Sequence, residues 1–120
     1  MILHFCARSE WDEARAAGVY AADTLESEGF IHCSTIDTVL IPANAIAHGR
    51  TDLVLLAIDE TRLDAPVRFE GGFPHVYGPI RVDAVTAVHG FPCASNGTFS
   101  LPAGLAAGRG PVVATERDGV

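Results

Sequence analysis

Lysine is absent from this sequence, and all eight of its basic residues are arginines. A chain without lysine cannot use the phosphate-binding lysine of a P-loop, and it cannot form a Schiff base through an ε-amino group. It also has no lysine general base. The absence therefore excludes three kinds of lysine chemistry.

Positive charge is scarce overall, because the formal net charge is −7 at pH 7. A protein that neutralises few phosphates is a poor general binder of nucleic acid, so we expect no nucleic-acid partner. A local cluster of Arg8, Arg68 and Arg81 could still hold one phosphate group, because a guanidinium binds phosphate through two parallel hydrogen bonds.

Cysteines and long apolar runs are also few. The three cysteines form no CxxC motif, and an odd number argues against a disulfide framework. No uncharged apolar run approaches the roughly 20 residues that cross a bilayer. The first residues carry no basic segment of the kind that begins a secretory signal. We therefore expect free thiols, no membrane partner and a cytoplasmic location.

The apolar segments and helix signals predict an α+β fold. Residues 52–59 (DLVLLAID) are almost wholly apolar and predict a central strand. Ser9 and Gly18 are typical of the start and the end of a helix, and Pro42 predicts a kink or a break within a second helical region. Because helices come early and strands late, we expect a mainly antiparallel sheet rather than a Rossmann domain. The predicted strands cover residues 2–6, 30–33, 52–59, 67–70 and 84–89.

The composition changes after Leu101, where alanine, glycine and proline dominate. Such a segment can bury little apolar surface, so it predicts a flexible C-terminal tail over residues 102–120. Residues 1–101 are long enough for a single domain with its own core.

Two apolar segments, residues 29–35 (GFIHCST) and 73–80 (FPHVYGPI), each carry a histidine. Burying an imidazole costs free energy unless it finds a hydrogen-bond partner, so stability alone would favour valine or isoleucine at His32 and His75. His4 occupies a similar place in the first strand. We therefore expect these three imidazoles to line one cleft.

Neighbouring polar residues extend this candidate site. Side chains alternate along a strand, so Ser34 shares a face with His32, and Tyr77 shares one with His75. Ser34 and Thr35 are predicted to begin a helix, whose free N–H groups would bind an anion. Glu70 ends a strand before a Gly-Gly loop, and it is either a carboxylate of the site or a surface acid.

Zinc is an alternative ligand, because imidazoles and thiols bind it. No spacing in the sequence matches a zinc motif, so we expect no metal. The residues of suitable chemistry are His4, Cys6, His32, Cys33 and His75.

The same histidine motifs resemble a bacterial family, domain of unknown function 952. The resemblance covers about residues 2–101 and implies an ADP-ribosyltransferase-like fold, in which a split, curved and mainly antiparallel sheet packs beside short helices. The segments that carry it are residues 28–35, 52–56 and 73–80, together with His4, Trp11 and residues 18–20.

The resemblance also implies site roles. His4 would bind the ribose of NAD, and His32 would face the nicotinamide. Glu70, His75 and Tyr77 compete for the third catalytic position, and no Glu-x-Glu pattern is present. The double-histidine branch of the fold includes RNA 2′-phosphotransferases, which hold phosphate with basic residues. From the residues and the resemblance together, we assign catalysis to His32, Glu70, His75 and Tyr77, and cofactor binding to His4, Ser34, Thr35 and Arg81.

We therefore expect a histidine-lined cleft that binds NAD or another ribose-bearing nucleotide, or transfers a group from it. Transfer of an ADP-ribosyl or a phosphoryl group would make the protein an enzyme. The alternatives are a small-molecule-binding module without transferase chemistry and, less favoured, a zinc protein. The sequence leaves the substrate, the acceptor and the oligomeric state open.

Overall fold

Residues 1–105 are described by a computed structural model, and between Ile2 and Gly90 they form eight strands and three α-helices. Two short 3-10 helices, Glu60–Arg62 and Val82–Ala84, lie in the second half. The remaining elements are β1 (Ile2–Ala7), α1 (Arg8–Ala17), β2 (Val19–Tyr20), α2 (Asp23–Glu28), β3 (Ile31–His32), α3 (Leu40–Ile46), β4 (Leu53–Ile58), β5 (Val67–Glu70), β6 (Phe73–Val76), β7 (Ile80–Arg81) and β8 (Val85–Gly90).

The strands form three small sheets, in the orders β1-β4-β8, β2-β7 and β3-β6-β5. Every pairing of these strands is antiparallel, which confirms the predicted α+β class with a mainly antiparallel sheet. β4 lies between β1 and β8, and all six of its residues are buried. The prediction of a central strand in this region is therefore confirmed.

A single β-bridge pairs the backbones of the two three-stranded sheets. The N–H of Leu3 donates to the carbonyl oxygen of Ser34 at 2.8 Å, and the N–H of Ser34 donates back to Leu3 at 2.8 Å. This pair brings the end of the β3 segment beside β1. His4 and His32, 28 residues apart in the chain, are therefore close in space.

A tight hairpin joins β5 to β6. Gly71 and Gly72 are its two turn residues, with φ of 61° and 86°. Two successive positive φ angles fit the turn that matches the twist of paired strands, and glycine adopts them without steric cost. The turn sets the register in which Glu70 lies opposite Phe73 and Arg68 opposite His75.

The starts of two helices differ from the sequence predictions. α1 begins at Arg8 rather than after Ser9, and the Glu10 carboxylate accepts a hydrogen bond of 2.9 Å from the N–H of Ala7. A side chain three positions into the helix thus satisfies a free N–H, which explains why Ser9 is not the cap.

α3 begins at Leu40, so Ser34 and Thr35 do not form a helix N-terminus. The N–H of Thr35 instead donates to the Thr38 hydroxyl at 2.9 Å. Pro42 lies in the first turn of α3, where a missing N–H breaks no helical hydrogen bond. The prediction of a kink or a break at Pro42 is therefore wrong. Pro42 is the third residue of α3 and does not lie in the interior of a helix.

The two faces of the β1-β4-β8 sheet bury two separate apolar clusters. Val54, Leu56 and Ile58 contribute to one cluster, which includes Trp11 of α1. The alternate β4 residues contribute to the other, which packs against α3 and later residues. β4 therefore supplies side chains to both clusters, as expected of a strand covered on both faces.

The second cluster extends past the domain boundary expected at Leu101. Leu105 is only 6% exposed and packs in this cluster, so residues up to 105 belong to the folded part. The remainder of the predicted tail, residues 106–120, lies outside the described residues. Within residues 1–105, no helix is long and apolar enough to cross a membrane.

Candidate functional site

A cavity of about 560 Å³ collects side chains from most elements of the first half of the chain and from β6. His4 comes from β1, His32 from β3 and His75 from β6, so three imidazoles distant in sequence line one space. We call it the histidine cavity. Its other lining residues are Leu3, Phe5, Cys6, Glu10, Tyr20, Ala22, Thr24, Glu28, Cys33, Ser34, Pro42, Ile46, Arg50, Leu53 and Phe73.

His4 is half-buried and has a partner at each ring nitrogen. Its Nδ1 lies 2.6 Å from the carbonyl oxygen of His32, and its Nε2 lies 2.9 Å from the Tyr20 hydroxyl. A carbonyl oxygen only accepts, so Nδ1 carries the proton and the Tyr20 hydroxyl donates to Nε2. Burial lowers the pKa of His4, which favours this neutral form.

Tyr20 keeps the proton that it donates, because burial raises the pKa of its hydroxyl. The Tyr20–His4 pair therefore connects β2 to β1, and the His4–His32 bond connects β1 to the backbone of β3. His4 holds the β3 backbone in place through this second bond. Neither ring nitrogen of His4 is free for a ligand without exchange of a partner.

His32 is exposed and has a carboxylate partner. Its Nε2 lies 3.0 Å from Oε1 of Glu28, four residues earlier at the end of α2. Gly29 follows Glu28 with a φ of 88° and ends the helix. This left-handed turn, which favours glycine, redirects the chain into β3. A carboxylate and an imidazole thus stand side by side at the cavity.

His75 lies opposite His32 in the β3-β6 register and stacks on Phe30. The rings of His75 and Phe30 are 4.0 Å apart and nearly parallel, at 10°, and the rings of His75 and His32 are 5.3 Å apart. Within residues 1–105, His75 Nδ1 is the one buried side-chain nitrogen or oxygen without a hydrogen-bond partner. An unpaired buried nitrogen lowers stability, so His75 is not explained by packing alone.

The other predicted site residues divide between the cavity and the rest of the surface. Ser34 is buried and lines the cavity. Thr35 does not line it, and its hydroxyl is hydrogen-bonded to Thr38 at 3.0 Å. Glu70 is exposed at the end of β5 and also lies outside the lining.

Tyr77 and Arg81 are likewise not among the residues that line the cavity. The Tyr77 ring is 5.4 Å from that of Phe30, and the guanidinium carbon of Arg68 lies 5.5 Å from the Tyr77 ring centroid. Arg81 pairs with Asp83 at 2.7 Å and with Asp64 at 3.5 Å, beside a second and smaller cavity. The sequence placed these residues in the site by strand alternation and charge, neither of which reports the bends between short strands.

Two cysteines line the cavity with thiols of low reactivity. Burial raises the pKa of Cys6 and of Cys33 to about 12. A thiol that stays protonated at neutral pH is a weak nucleophile and a weak metal ligand. Within residues 1–105, no three histidine, cysteine, aspartate or glutamate side chains are grouped so that they could hold a metal ion.

Sequence reasoning missed two residues that shape the site. Glu28 is one of several acids in a polar stretch, and it reaches His32 only through the turn at Gly29 that ends α2. Tyr20 reaches His4 across 16 residues through the fold, and no local pattern indicates that contact.

The chain is similar to a known protein family and to solved structures. The family described as "Protein of unknown function (DUF952)" matches residues 5–88. The crystal structure of protein CC0527 from Caulobacter crescentus has 32% identity and a TM-score of 0.79, covering 88% of this chain and 97% of that one. The solution structure of CC0527 has 30% identity and a TM-score of 0.67, covering 81% and 89%. No curated protein matches the chain. The chain therefore belongs to the DUF952 family.

Proposed function

We propose that the histidine cavity binds the ribose-bearing end of a nucleotide, with NAD as the expected ligand. The observation that carries this proposal is that His4, His32 and His75 line one cavity. Its volume of about 560 Å³ lies in the range of small-molecule sites. Imidazoles both donate and accept hydrogen bonds at neutral pH, as ribose hydroxyls do.

The sheet arrangement supports an ADP-ribosyltransferase-like fold for this proposal. Among the described strands, the β1-β4-β8 and β3-β6-β5 sheets are joined by backbone pairing only at the Leu3–Ser34 bridge, as in a split sheet. In this arrangement β1 supplies His4 and β3 supplies His32. These are the two strands on which the resemblance places the ribose-binding and nicotinamide-facing residues.

The chemistry that fits is cleavage of the bond between ribose C1′ and the nicotinamide nitrogen. Its electron pair leaves with nicotinamide, and water or an acceptor hydroxyl bonds to C1′ and loses a proton. The transition state resembles an oxocarbenium ion, which a nearby carboxylate stabilises. Glu28, held beside His32, is placed for this role, whereas Glu70 and Tyr77 are not.

One observation favours binding without turnover as a second candidate. Both ring nitrogens of His4 already have partners, and Glu28 is committed to His32. The cavity then offers shape and hydrogen bonds, and His75 Nδ1 is a base there without a hydrogen-bond partner within residues 1–105. Transfer of a phosphoryl group is less favoured, because Arg50, the one arginine among residues 1–105 that lines the cavity, is paired with Asp52.

The test is calorimetric titration of the full chain with NAD, followed by measurement of released nicotinamide. We expect saturable binding to the wild type and to His48→Ala, whose histidine is exposed outside the cavity lining. We expect His32→Ala to bind at least about tenfold more weakly, the loss of roughly one hydrogen bond to a ligand.

The outcomes separate the candidates. Binding with nicotinamide release supports transferase chemistry, and binding without release supports the second candidate. No binding of NAD to the wild type, or equal binding to His32→Ala, overturns the proposal. Thermal denaturation of each variant confirms that it is folded.

A further inference from the structure

The fixed charges at the histidine cavity are unbalanced. Glu10 and Glu28 both line it, and the partner of the Glu28 carboxylate is the imidazole of His32. The Glu10 carboxylate accepts a hydrogen bond from the neutral N–H of Ala7, which leaves its charge in place. His4 contributes no positive charge, because it is held in the neutral form described above.

Arg50, which lines the cavity, is already paired with the Asp52 carboxylate. Nε of Arg50 donates to one carboxylate oxygen of Asp52 at 3.0 Å, and its Nη2 donates to the other oxygen at 2.7 Å. This forked pair uses the geometry that would otherwise bind a phosphate. No other arginine within residues 1–105 lines the cavity. A phosphate group that entered the cavity would lose its hydrating water, and it would find no unpaired arginine among the described lining residues in exchange.

The uncharged part of the lining favours an organic cation. Phe5, Tyr20 and Phe73 contribute aromatic rings, whose faces attract positive charge. Aliphatic side chains such as Leu3 and Leu53 complete the lining. An apolar, aromatic space with two carboxylates suits a flat ring that carries a positive charge.

From this charge pattern we infer that the histidine cavity selects a cationic nucleoside unit and takes it without phosphate, an N-ribosyl pyridinium being the matching class. The inference rests on the proposed function and deepens it. In NAD, the nicotinamide riboside half enters the cavity and the diphosphate stays in solvent. The positive ring charge, and not the phosphates, is what the cavity recognises.

The test compares four ligands by calorimetric titration of the full chain at low salt. Nicotinamide riboside carries the ring charge alone, and NAD carries the charge and phosphates. NADH and ADP-ribose carry phosphates without the ring charge. We expect nicotinamide riboside to bind within about threefold of NAD, and NADH and ADP-ribose to bind at least about tenfold more weakly.

A matched pair of variants tests the source of the selection. Glu28→Gln removes a cavity carboxylate, and we expect it to weaken nicotinamide riboside about fivefold or more. Glu26→Gln removes the same charge from the same helix at an exposed position outside the cavity lining. We expect no change in that control. Both positions are exposed, so both variants should fold, which their thermal denaturation checks.

The outcomes distinguish this inference from the proposed function. If NAD binds while nicotinamide riboside does not, or if NADH and ADP-ribose bind as tightly as NAD, charge selection is overturned and nucleotide binding stands. Charge selection is also overturned, and nucleotide binding stands, if Glu28→Gln and Glu26→Gln have the same effect on the affinity for nicotinamide riboside. If none of the four ligands binds, both proposals are overturned.

Discussion

At the scale of single residues, the Tyr20–His4–His32 chain of hydrogen bonds is the most constrained part of the cavity. Each step is fixed by chemistry, since the His32 carbonyl oxygen can only accept and thereby determines which nitrogen of His4 carries the proton. A protonated His4 would turn Nε2 into a donor, so the Tyr20 hydroxyl would have to turn round and accept, and the positive charge would lose its hydrating water. The neutral ring is therefore part of the folded structure.

This constraint predicts a dependence of stability on pH. The pKa of His4 is lowered in the folded state, so the unfolded chain binds its proton more tightly. The contribution to stability is present above the unfolded pKa of about 6.5 and is lost as pH falls through the lower folded value. We expect His4→Asn to lose less stability than the wild type between pH 7.5 and pH 5, measured by urea unfolding.

The control for this experiment is His48→Asn, at an exposed position outside the cavity lining. It should keep the wild-type dependence on pH. An equal loss of stability in the wild type and in His4→Asn would show that His4 does not titrate differently in the folded chain.

Tyr20→Phe removes the donor to His4 Nε2 and keeps the ring that packs in the first cluster. We expect it to lower the free energy of unfolding by about 1–3 kcal/mol, because a half-buried acceptor loses its partner. Tyr77→Phe is the matched control, since the Tyr77 hydroxyl makes no hydrogen bond within residues 1–105, and it should change stability by less than about 0.5 kcal/mol. Equal effects of the two variants would contradict the assigned bond.

The three histidines at the cavity could be predicted from the sequence because each interrupts an apolar segment. Glu28 and Tyr20 could not be singled out. Glu28 is one of several acids in a polar stretch, and its importance depends on the turn at Gly29 that places it beside His32. Arg81 was assigned to the cavity by its charge alone, and the fold pairs it with two aspartates elsewhere.

At the scale of elements, β4 carries the largest share of the core. A single substitution tests this. Leu56 is fully buried, so Leu56→Ala should cost about 2–5 kcal/mol in urea unfolding. Val88, its partner on β8, is 41% exposed, and Val88→Ala should cost less than about 1 kcal/mol. Similar costs at both positions would contradict the central placement of β4.

The elements that the sequence predicted well are those whose limits are marked locally. β4 and β5 match their predicted ranges within a residue at each end, because burial on both faces or a glycine turn marks their limits. The prediction failed in the α3 region because Thr35 and Thr38 form a separate turn with each other, and the helix begins only at Leu40. Tertiary contacts thus decide where short elements begin.

At the scale of the whole molecule, the chain wraps both faces of one sheet, and residues after 90 complete the second face. Phe91, Phe99 and Leu105 are all buried there. The composition after Leu101 hid this packing, because a single leucine among alanine and glycine gives no periodic signal. The fold class was predictable, and the end of the folded part was not.

Leu105→Ala tests that boundary. Since Leu105 packs in the second cluster, we expect a loss of about 2 kcal/mol in the free energy of unfolding. Ile41→Ala is the control, because Ile41 is 63% exposed on α3, and it should change stability by less than about 0.5 kcal/mol. No effect of Leu105→Ala would support a flexible segment that begins at residue 102.

The meeting of the two three-stranded sheets at Leu3 and Ser34 has a mechanical consequence. One pair of backbone hydrogen bonds and the bond from His4 to the His32 carbonyl oxygen join the sheets at this point. His4 lies on one sheet and His75 on the other. A molecule that contacts both sheets would link them across this junction. Its binding would then slow amide hydrogen exchange in the strands of both sheets, including residues that it does not contact.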